Sequence, residues 1–237
     1  MTISVMINGA LGKMGQHCVQ AIESDPELTL VAQGTRVTDL GETIDQTQAD
    51  VVVDFTHADT AFANCQTILE HSARPIIGSS GLNQHLADQL SLIAREKNIG
   101  GIIAPNFAIG AVLMMQLAQK AATYFNDVEI VEKHHQHKED APSGTAIRTA
   151  EMIAQANPQL ATARDNQQGI KEYGVPIHSI RLPGVFTHQE VMFGSSGETL
   201  TITHNCSQRQ AAMPGVVLAC KKVMALNELV YGLEHIL

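Results

Sequence analysis

The sequence predicts an α/β fold with two domains: a Rossmann-like doubly wound parallel sheet, and a smaller α+β domain with an open mixed sheet. Apolar runs alternate with helical patterns from residue 2 to residue 107, and three glycines occupy the first strand-to-helix turn. From residue 177 the pattern changes to short alternating segments, which is typical of antiparallel or mixed sheets. We therefore expect residues 1–107 and 214–237 to bind a dinucleotide, and residues 108–213 to bind the substrate and carry oligomerisation.

Composition limits the possible classes of function. The 237 residues are 44% hydrophobic and 16% charged, which indicates a globular protein with a proper core. A net charge of −9 gives no general attraction for nucleic acid. No apolar run is long enough to cross a bilayer, and the N-terminus begins directly with a strand pattern, so we expect no membrane partner and no signal peptide. The four cysteines are scattered, which favours buried free thiols in the cytoplasm.

The first turn of the chain has the composition of a nucleotide-binding turn. An apolar strand is predicted over residues 2–8, and Gly9, Gly12 and Gly15 follow it at the start of a helical pattern. Glycines at such a turn allow a tight bend and let a dinucleotide pyrophosphate approach the backbone at the helix N-terminus. Nucleotide binding is therefore favoured over the alternative, a structural turn. The other candidate cofactor residues of this turn are Ala10, Lys13 and Met14.

The end of the second predicted strand, residues 28–32, bears on the choice of cofactor. The Rossmann fingerprint expects an acid here to accept the ribose hydroxyls of NAD, but no acid occurs before Asp39. Thr35 and Arg36 would instead suit the 2′-phosphate of NADP. NADPH is therefore favoured over NADH, and the alternative is that Arg36 is an ordinary surface arginine.

Three more strands and their helices complete the predicted parallel sheet. The strands are expected at 50–55, 75–77 and 101–104, and the helices at 58–70, 84–96 and 109–124. Ligands bind at the carboxyl ends of the strands in such sheets. The residues that follow these strands should therefore lie with the glycine turn at one edge: Phe55, Gly78, Ser79, Ser80, Ala104, Asn106 and Phe107.

The segment 129–146 carries most of the reactive side chains. A strand pattern around Val128 and Ile130 leads into histidines at 134, 135 and 137 and a lysine at 138. If the extended geometry persists, the period of two puts His134 and Lys138 on one face, as a proton donor beside a fixed cation. A solvated histidine-rich loop is the plain alternative. A zinc site is weaker, because the segment has no cysteine and no His-Glu-x-x-His arrangement.

A helix start follows directly. Ser143 is a good N-cap, and apolar residues recur at helical spacing to about residue 156. Backbone N–H groups of the Ser143-Gly144-Thr145 turn, two hydroxyls and the positive end of the helix dipole would bind a carboxylate or phosphate. A helix cap without a ligand is the alternative. The functional interpretation is a small anionic substrate held by this turn, with His134 and Lys138 above it.

The remaining segments predict a second sheet and a final helix. A polar surface loop is expected at 164–169, strands at 189–193 and 199–204, and an apolar helix from 214 to about 231. An open sheet with apolar and hydroxyl-bearing faces often pairs with a copy of itself, so we expect a homo-oligomer.

These motifs resemble those of the 4-hydroxy-tetrahydrodipicolinate reductases, also called dihydrodipicolinate reductases. Members of that family are pyridine-nucleotide enzymes of bacterial diaminopimelate and lysine biosynthesis. The last motif is close to specific for the family, and the resemblance covers almost the whole chain. The motifs are Gly-Ala-Leu-Gly-Lys-Met-Gly at 9–15, Val-Asp-Phe-Thr at 53–56, Gly-Ser-Ser-Gly at 78–81, Ala-Pro-Asn-Phe-Ala-Ile-Gly at 104–110, and Glu-x-x-Glu-x-His-His-x-x-Lys-x-Asp-x-Pro-Ser-Gly-Thr-Ala at 129–146.

The resemblance implies reduction of a dianionic cyclic imine. His134 would be the general acid, and Lys138 a substrate-binding or proton-donating partner. His135 and the turn 143–145 would hold the substrate carboxylates. The family also implies a homotetramer.

For the cofactor, the resemblance implies NADPH, with NADH as the alternative. The segment 78–81 would contact the nicotinamide side, and Ala104, Asn106 and Phe107 would close over the nicotinamide. The missing acid after the second strand weakens the case for dual use of NADH. The segment between the second and third strands is short, and Ala212 stands where the family usually has phenylalanine.

Two rival classes of protein are kept open. A non-catalytic NAD(P)-sensing regulator would need the glycine turn but not the histidines, and it would usually carry a basic recognition helix that is missing here. A different Rossmann-type dehydrogenase, such as a thiol-dependent semialdehyde dehydrogenase, would need a cysteine at the site. No cysteine lies near the candidate site in sequence.

Overall fold

The computed structural model describes residues 2–79, 81–162 and 169–237. Ser80 and nearly all of the predicted loop 164–169 lie outside these ranges. The chain divides into two compact units, one formed by Met1–Ala108 with Ala212–Leu237 and the other by Ile109–Ala211. No helix within the described ranges is both long and apolar enough to span a bilayer.

Strands and helices alternate through the first unit, and strands dominate the second. In chain order the strands are β1 (Ile3–Asn8), β2 (Leu28–Gly34), β3 (Val51–Asp54), β4 (Arg74–Ile77), β5 (Gly101–Ile103), β6 (Asp127–His134), β7 (Ile170–Glu172), β8 (Val175–Arg181), β9 (Thr187–Ser195), β10 (Glu198–Cys206) and β11 (Leu229–Tyr231). The helices are α1 (Lys13–Glu23), α2 (Leu40–Thr47), α3 (Ala58–Glu70), α4 (Gln84–Lys97), α5 (Ile109–Ala122), α6 (Gly144–Ala156) and α7 (Met213–Lys222).

The first unit is built on a parallel sheet, which confirms the predicted Rossmann-like class. Its strands lie in the order β2-β1-β3-β4-β5-β11, and every neighbouring pair runs parallel. All four residues of β3 are buried, as expected of a central strand covered on both faces. The chain leaves β1 in one direction to β2 and crosses back to β3, so the switch point of the topology lies between β1 and β3.

The prediction of one long final helix is wrong after Lys222. Helix α7 ends there, and Leu229–Tyr231 instead forms β11, parallel to β5. The pairing satisfies backbone groups at both ends of β5, through Gly101 N to Glu228 O at 3.1 Å and Gly232 N to Ile103 O at 2.8 Å. A short apolar run fits a helix or a buried strand equally well. Here the otherwise unpaired backbone groups along the edge of β5 favour a strand.

Helix α2 was not predicted. It begins where Asp39 caps it by accepting a hydrogen bond from Glu42 N at 2.9 Å. Asp39 was considered above only as an acid that comes too late for a ribose contact. Its position supplies the ordinary start signal of a helix.

The second unit is an open mixed sheet backed by two helices, as predicted. Its strands lie in the order β10-β9-β6-β8-β7, with only β6 and β8 parallel among the described pairs. Helices α5 and α6 pack on one face of this sheet. Alternate residues of the central strands are buried there, including Ile130, Ile177, Val191 and Phe193.

Candidate active site

The glycine turn of the first unit has room for backbone only. Gly9 has φ +83°, and a Cβ on it would lie 2.7 Å from the carbonyl oxygen of Phe55. A Cβ on Gly15 would lie 2.2 Å from the carbonyl oxygen of Gly9. The turn is therefore packed tightly against β3 and the first turn of α1, as a nucleotide-binding turn requires.

The start of α1 is open and without an acidic side chain. Gly12 is the N-cap residue, and no side chain caps the helix. The first turn contains no acid, and both Gly12 and Lys13 are exposed. Ala10 is buried and Met14 is half-buried beside them. Since the first N–H groups of a helix lack intrahelical acceptors, this end can bind an anion.

Other predicted cofactor residues gather at the same edge of the sheet. The rings of Phe55 and Phe107 pack edge to face, with centroids 5.9 Å apart. A Cβ on Gly78 would lie 2.2 Å from the Phe55 ring, so this glycine allows the contact. Ala104 is buried, and the side chain of Asn106 accepts a hydrogen bond from Ala108 N at 2.8 Å. Arg36 lies exposed, two residues beyond the end of β2.

A buried carboxylate that the sequence analysis missed organises this edge. Asp54, at the end of β3, is fully buried. It accepts hydrogen bonds from Asn8 Nδ2 at 2.9 Å and Asn64 Nδ2 at 2.8 Å. It also accepts from Thr56 Oγ1 at 2.7 Å and Ser79 Oγ at 2.6 Å. The predicted cofactor residue Ser79 therefore uses its hydroxyl to fix the loop after β4. An acid that ends an apolar strand is a signal that could have revealed this role.

In the second unit, His134 ends β6 with both ring nitrogens engaged. Its Nδ1 makes a short hydrogen bond with Oε2 of Glu132, and its Nε2 lies 2.9 Å from Oγ1 of Thr187. The Glu132 side chain is completely buried, and the His134 side chain is 13% exposed. Glu132 was missed although it stands two residues before His134, where the period of a strand puts both on one face.

Arg181 completes this cluster from the neighbouring strand β8. Its NH1 and NH2 groups donate to the two carboxylate oxygens of Glu132, each at 3.0 Å. Burial by itself raises the pKa of Glu132, but the hydrogen bonds from His134 and Arg181 outweigh it and bring the pKa to about 2. The carboxylate is therefore ionised at neutral pH.

The predicted extended geometry does not persist beyond His134. The chain turns at residues 136–137, and Lys138 N donates to His135 O at 3.1 Å. The alternating faces proposed for 134–138 are therefore wrong. The Lys138 ammonium instead bonds both carboxylate oxygens of Asp140, each at 2.7 Å. Asp140 was not considered as its partner.

His135 has an unsatisfied polar atom. Its Nδ1 is buried and has no hydrogen-bond partner among the described residues. Its ring lies beside Phe186, with centroids 6.1 Å apart. Desolvation lowers the pKa of His135, and the charge of the nearby His134 and Arg209 lowers it further. A neutral imidazole with one unpaired nitrogen can donate a hydrogen bond to a ligand or accept one from it, depending on its tautomer.

The predicted helix start at Ser143 is confirmed. Ser143 is buried, and its Oγ accepts a hydrogen bond from Ala146 N at 3.2 Å, so the hydroxyl is used as the cap of α6. Gly144 is exposed, and a Cβ on it would meet nothing within 4 Å. The carbonyl of Thr145 accepts from Thr149 Oγ1 at 2.7 Å within the helix. Space for a ligand is therefore present in front of Gly144.

The described part of the chain contains no candidate metal cluster, and three of its four cysteines are poorly suited to thiol chemistry. No group of three or more His, Cys, Asp or Glu side chains there could hold a metal ion. All four cysteines are free and buried, as predicted. Burial raises the pKa of Cys18 to about 12 and also raises the pKa of Cys65 and Cys220. A reactive thiolate, which a semialdehyde dehydrogenase would need, is therefore disfavoured at these three positions.

The chain matches both halves of one protein family. The family description "Dihydrodipicolinate reductase, N-terminus" matches residues 3–107, and "Dihydrodipicolinate reductase, C-terminus" matches residues 110–237. A 4-hydroxy-tetrahydrodipicolinate reductase of Legionella pneumophila (strain Philadelphia 1) is 50% identical over 243 residues, covering 100% of both chains. An enzyme of the same name from Coxiella burnetii (strain RSA 493) is 50% identical over 239 residues, again covering 100% of both.

A solved structure of a dihydrodipicolinate reductase is also similar to this chain. The dipicolinate-bound dihydrodipicolinate reductase from Paenisporosarcina sp. TG-14 has a TM-score of 0.89 and 39% identity, with 100% of both chains covered. GenD2 from gentamicin A biosynthesis, in complex with NAD, has a TM-score of 0.65 at 13% identity and covers 94% of this chain and 85% of that one. The second likeness is one of fold alone.

Proposed function

The chain belongs to the dihydrodipicolinate reductase family, and from this premise we propose which of its residues carry the reaction. It is an NAD(P)H-dependent oxidoreductase that converts 4-hydroxy-tetrahydrodipicolinate to tetrahydrodipicolinate in diaminopimelate and lysine biosynthesis. The first unit binds the nucleotide, and the second binds the dianionic cyclic imine. This assignment of residues is carried by one observation: His134 ends β6 in a buried hydrogen-bond network, and α6, which begins at the exposed Gly144, packs against the same strand.

The first unit fits a dinucleotide. The uncapped, acid-free start of α1 would receive the pyrophosphate, and the close packing at Gly9 and Gly15 lets the backbone approach it. Phe55, Phe107 and the Gly78 segment would shape the nicotinamide end. When bound, the nucleotide supplies the hydride, and the protein supplies orientation and charge.

NADPH is the preferred cofactor in this proposal, because Arg36 is exposed beyond β2 where the 2′-phosphate of the adenosine would lie. A bidentate Arg–phosphate contact contributes about 1.5–3 kcal/mol, like other hydrogen bonds to charged groups. We expect Arg36→Ala to lower kcat/KM for NADPH by about 10- to 100-fold and to leave kcat/KM for NADH nearly unchanged. Initial rates with each cofactor measure this directly.

The rate measurement requires that the substrate be generated during the assay. Absorbance of the reduced nucleotide is followed while an aldolase generates the unstable hydroxylated substrate. Arg95→Ala is the matched control, since this arginine is exposed and pairs with Glu228 in the same unit. Equal loss with both cofactors in Arg36→Ala would contradict the assignment of the 2′-phosphate to Arg36.

The second unit would hold the two carboxylates of the substrate. The open space and backbone N–H at Gly144, together with the positive end of α6, suit one carboxylate. Thr145 and the unpaired Nδ1 of His135 would provide further hydrogen bonds. Ser143 would act by holding the turn, since its hydroxyl caps the helix. On substrate binding, the Lys138 ammonium would leave Asp140, whose side chain is 60% exposed, and bond the second carboxylate of the substrate.

Removal of the Lys138 ammonium should therefore weaken substrate binding. A charged hydrogen bond contributes about 1.5–3 kcal/mol, so Lys138→Ala should raise KM for the dianionic substrate about 10- to 100-fold. The matched control is Lys133→Ala, because Lys133 pairs with Glu190 on the other face of the sheet. Steady-state kinetics at saturating NADPH test this, and an unchanged KM and kcat would remove Lys138 from the site.

We further propose a homotetramer in the cytoplasm. The edge strand β10 of the mixed sheet exposes Thr199, Leu200, Thr201 and Thr203, and an exposed strand edge can pair with a second copy of the chain. The four buried free thiols suit a reducing compartment. Light scattering would give four times the 25.5 kDa chain mass for a tetramer.

A further inference from the structure

The carboxylate of Glu132 limits which nitrogen of His134 carries hydrogen. Glu132 is ionised at neutral pH, and an ionised carboxylate only accepts hydrogen bonds. Its short contact with Nδ1 therefore requires a hydrogen on Nδ1. In the neutral ring, Nε2 then has the lone pair and accepts from the Thr187 hydroxyl, 2.9 Å away. In the charged ring, Nε2 carries the proton that can leave.

The guanidinium of Arg181 connects the two reactive groups of the second unit. Besides its two bonds to Glu132, it donates from Nε to the carbonyl of Lys138 at 3.2 Å and from NH2 to the carbonyl of Asp140 at 2.5 Å. The planar guanidinium therefore holds the Glu132 carboxylate and the backbone of both Lys138 and Asp140. Lysine could not make these bonds together, because an ammonium lacks the planar fork.

Breaking this ion pair would be costly, because it would leave the buried Glu132 charge without its partner. The Glu132 side chain is 0% exposed and that of Arg181 is 19% exposed. A buried ion pair is favourable only when its geometry is good and its remaining groups are hydrogen-bonded, as they are here. Among the described residues, Glu132 and Thr187 hydrogen-bond to the His134 ring, and Arg181 donates to the Glu132 carboxylate.

We propose that Glu132 and Arg181 are positioning residues for the reductase. Glu132 keeps hydrogen on Nδ1 of His134 and presents Nε2 as the proton donor, and Arg181 holds Glu132 and the 138–140 backbone in one geometry. Neither residue needs to touch the substrate. The inference rests on the proposed acid role of His134.

The test compares Glu132→Gln and Arg181→Lys with Glu190→Gln. Glu190 is a matched control, since it also bonds one histidine and one cation, His188 at 2.6 Å and Lys133 at 3.0 Å, on the other face of the sheet. Glu132→Gln should lower kcat at least about tenfold with unchanged NADPH binding. It should leave KM for the imine nearly unchanged, because Glu132 does not need to touch the substrate. Arg181→Lys should lower kcat and raise KM for the imine.

Glu190→Gln should stay within about twofold of the wild type in kcat, because this pair is partly exposed and lies on the face of the sheet opposite to Glu132. If Glu132→Gln lowers kcat no more than Glu190→Gln does, or raises KM for the imine as much as it lowers kcat, the proposal is wrong. Failure of the proposed function would look different. Full turnover in His134→Gln would refute the acid role of His134, whatever the result for Glu132→Gln.

A measurement on the wild-type protein keeps the test valid if a variant does not fold. Long-range ¹H–¹⁵N correlation spectra of the imidazoles report which ring nitrogen is protonated. We expect the neutral form of His134 to carry hydrogen on Nδ1. Hydrogen on Nε2 in the neutral form would overturn the proposal.

Discussion

Changing His134 to Gln should lower kcat by about 10²- to 10⁴-fold, the range that positioned general acids contribute. Glutamine retains a polar side chain of similar reach but cannot donate a proton to the substrate. The affinity for NADPH should change little, because the predicted nucleotide residues belong to the other compact unit. Single-turnover absorbance changes and NADPH fluorescence titration measure the two quantities separately.

His188→Gln is the matched control for this experiment. His188 also bonds a glutamate on the same sheet, but it lies on the face opposite to the buried Glu132. Its substitution should leave kcat within about twofold, as expected for loss of a partly exposed pair. An equal loss of turnover and NADPH affinity in His134→Gln would argue against a role as the acid and for a general loss of structure.

Changing Arg181 to Met should destabilise the protein by about 3–5 kcal/mol, because it leaves the buried Glu132 carboxylate without its arginine partner. The bond from His134 remains, so the lower end of this range is expected. Urea unfolding at pH 7 measures the change. Arg95→Met, which breaks an ion pair whose side chains are 63% and 40% exposed, should cost at most about 1 kcal/mol.

The stability difference between Arg181→Met and wild type should depend on pH in a defined direction. The pKa of Glu132 is about 2 in the folded protein, below its ordinary value of 4.5. A depressed carboxyl pKa stabilises the folded state above about pH 4.5, and this stabilisation is lost as the pH falls towards 2. The cost of Arg181→Met should therefore be largest near neutral pH and shrink below pH 4.5. A cost that is constant over this range would contradict the role of the ionised carboxylate.

Several features were predictable because they depend on nearby residues. The glycines of the first turn, the strand ends around Phe55 and Phe107, and the Ser143 cap all follow from local backbone preferences. The partner of His134 was also within reach, since Glu132 lies two residues earlier on a strand. The prediction that failed locally was extended geometry beyond His134, where the chain turns at 136–137.

The sequence by itself determined the fold class and the family, because periodicity, turn residues and motifs are properties of short segments. Only the tertiary structure decided that Arg181 lies opposite His134 in the parallel pair β6–β8, and that Leu229–Tyr231 joins β5 as a strand. Register and strand order depend on packing between residues far apart in the chain. No short segment contains that information, so the ion pair between Arg181 and Glu132 could be found only in three dimensions.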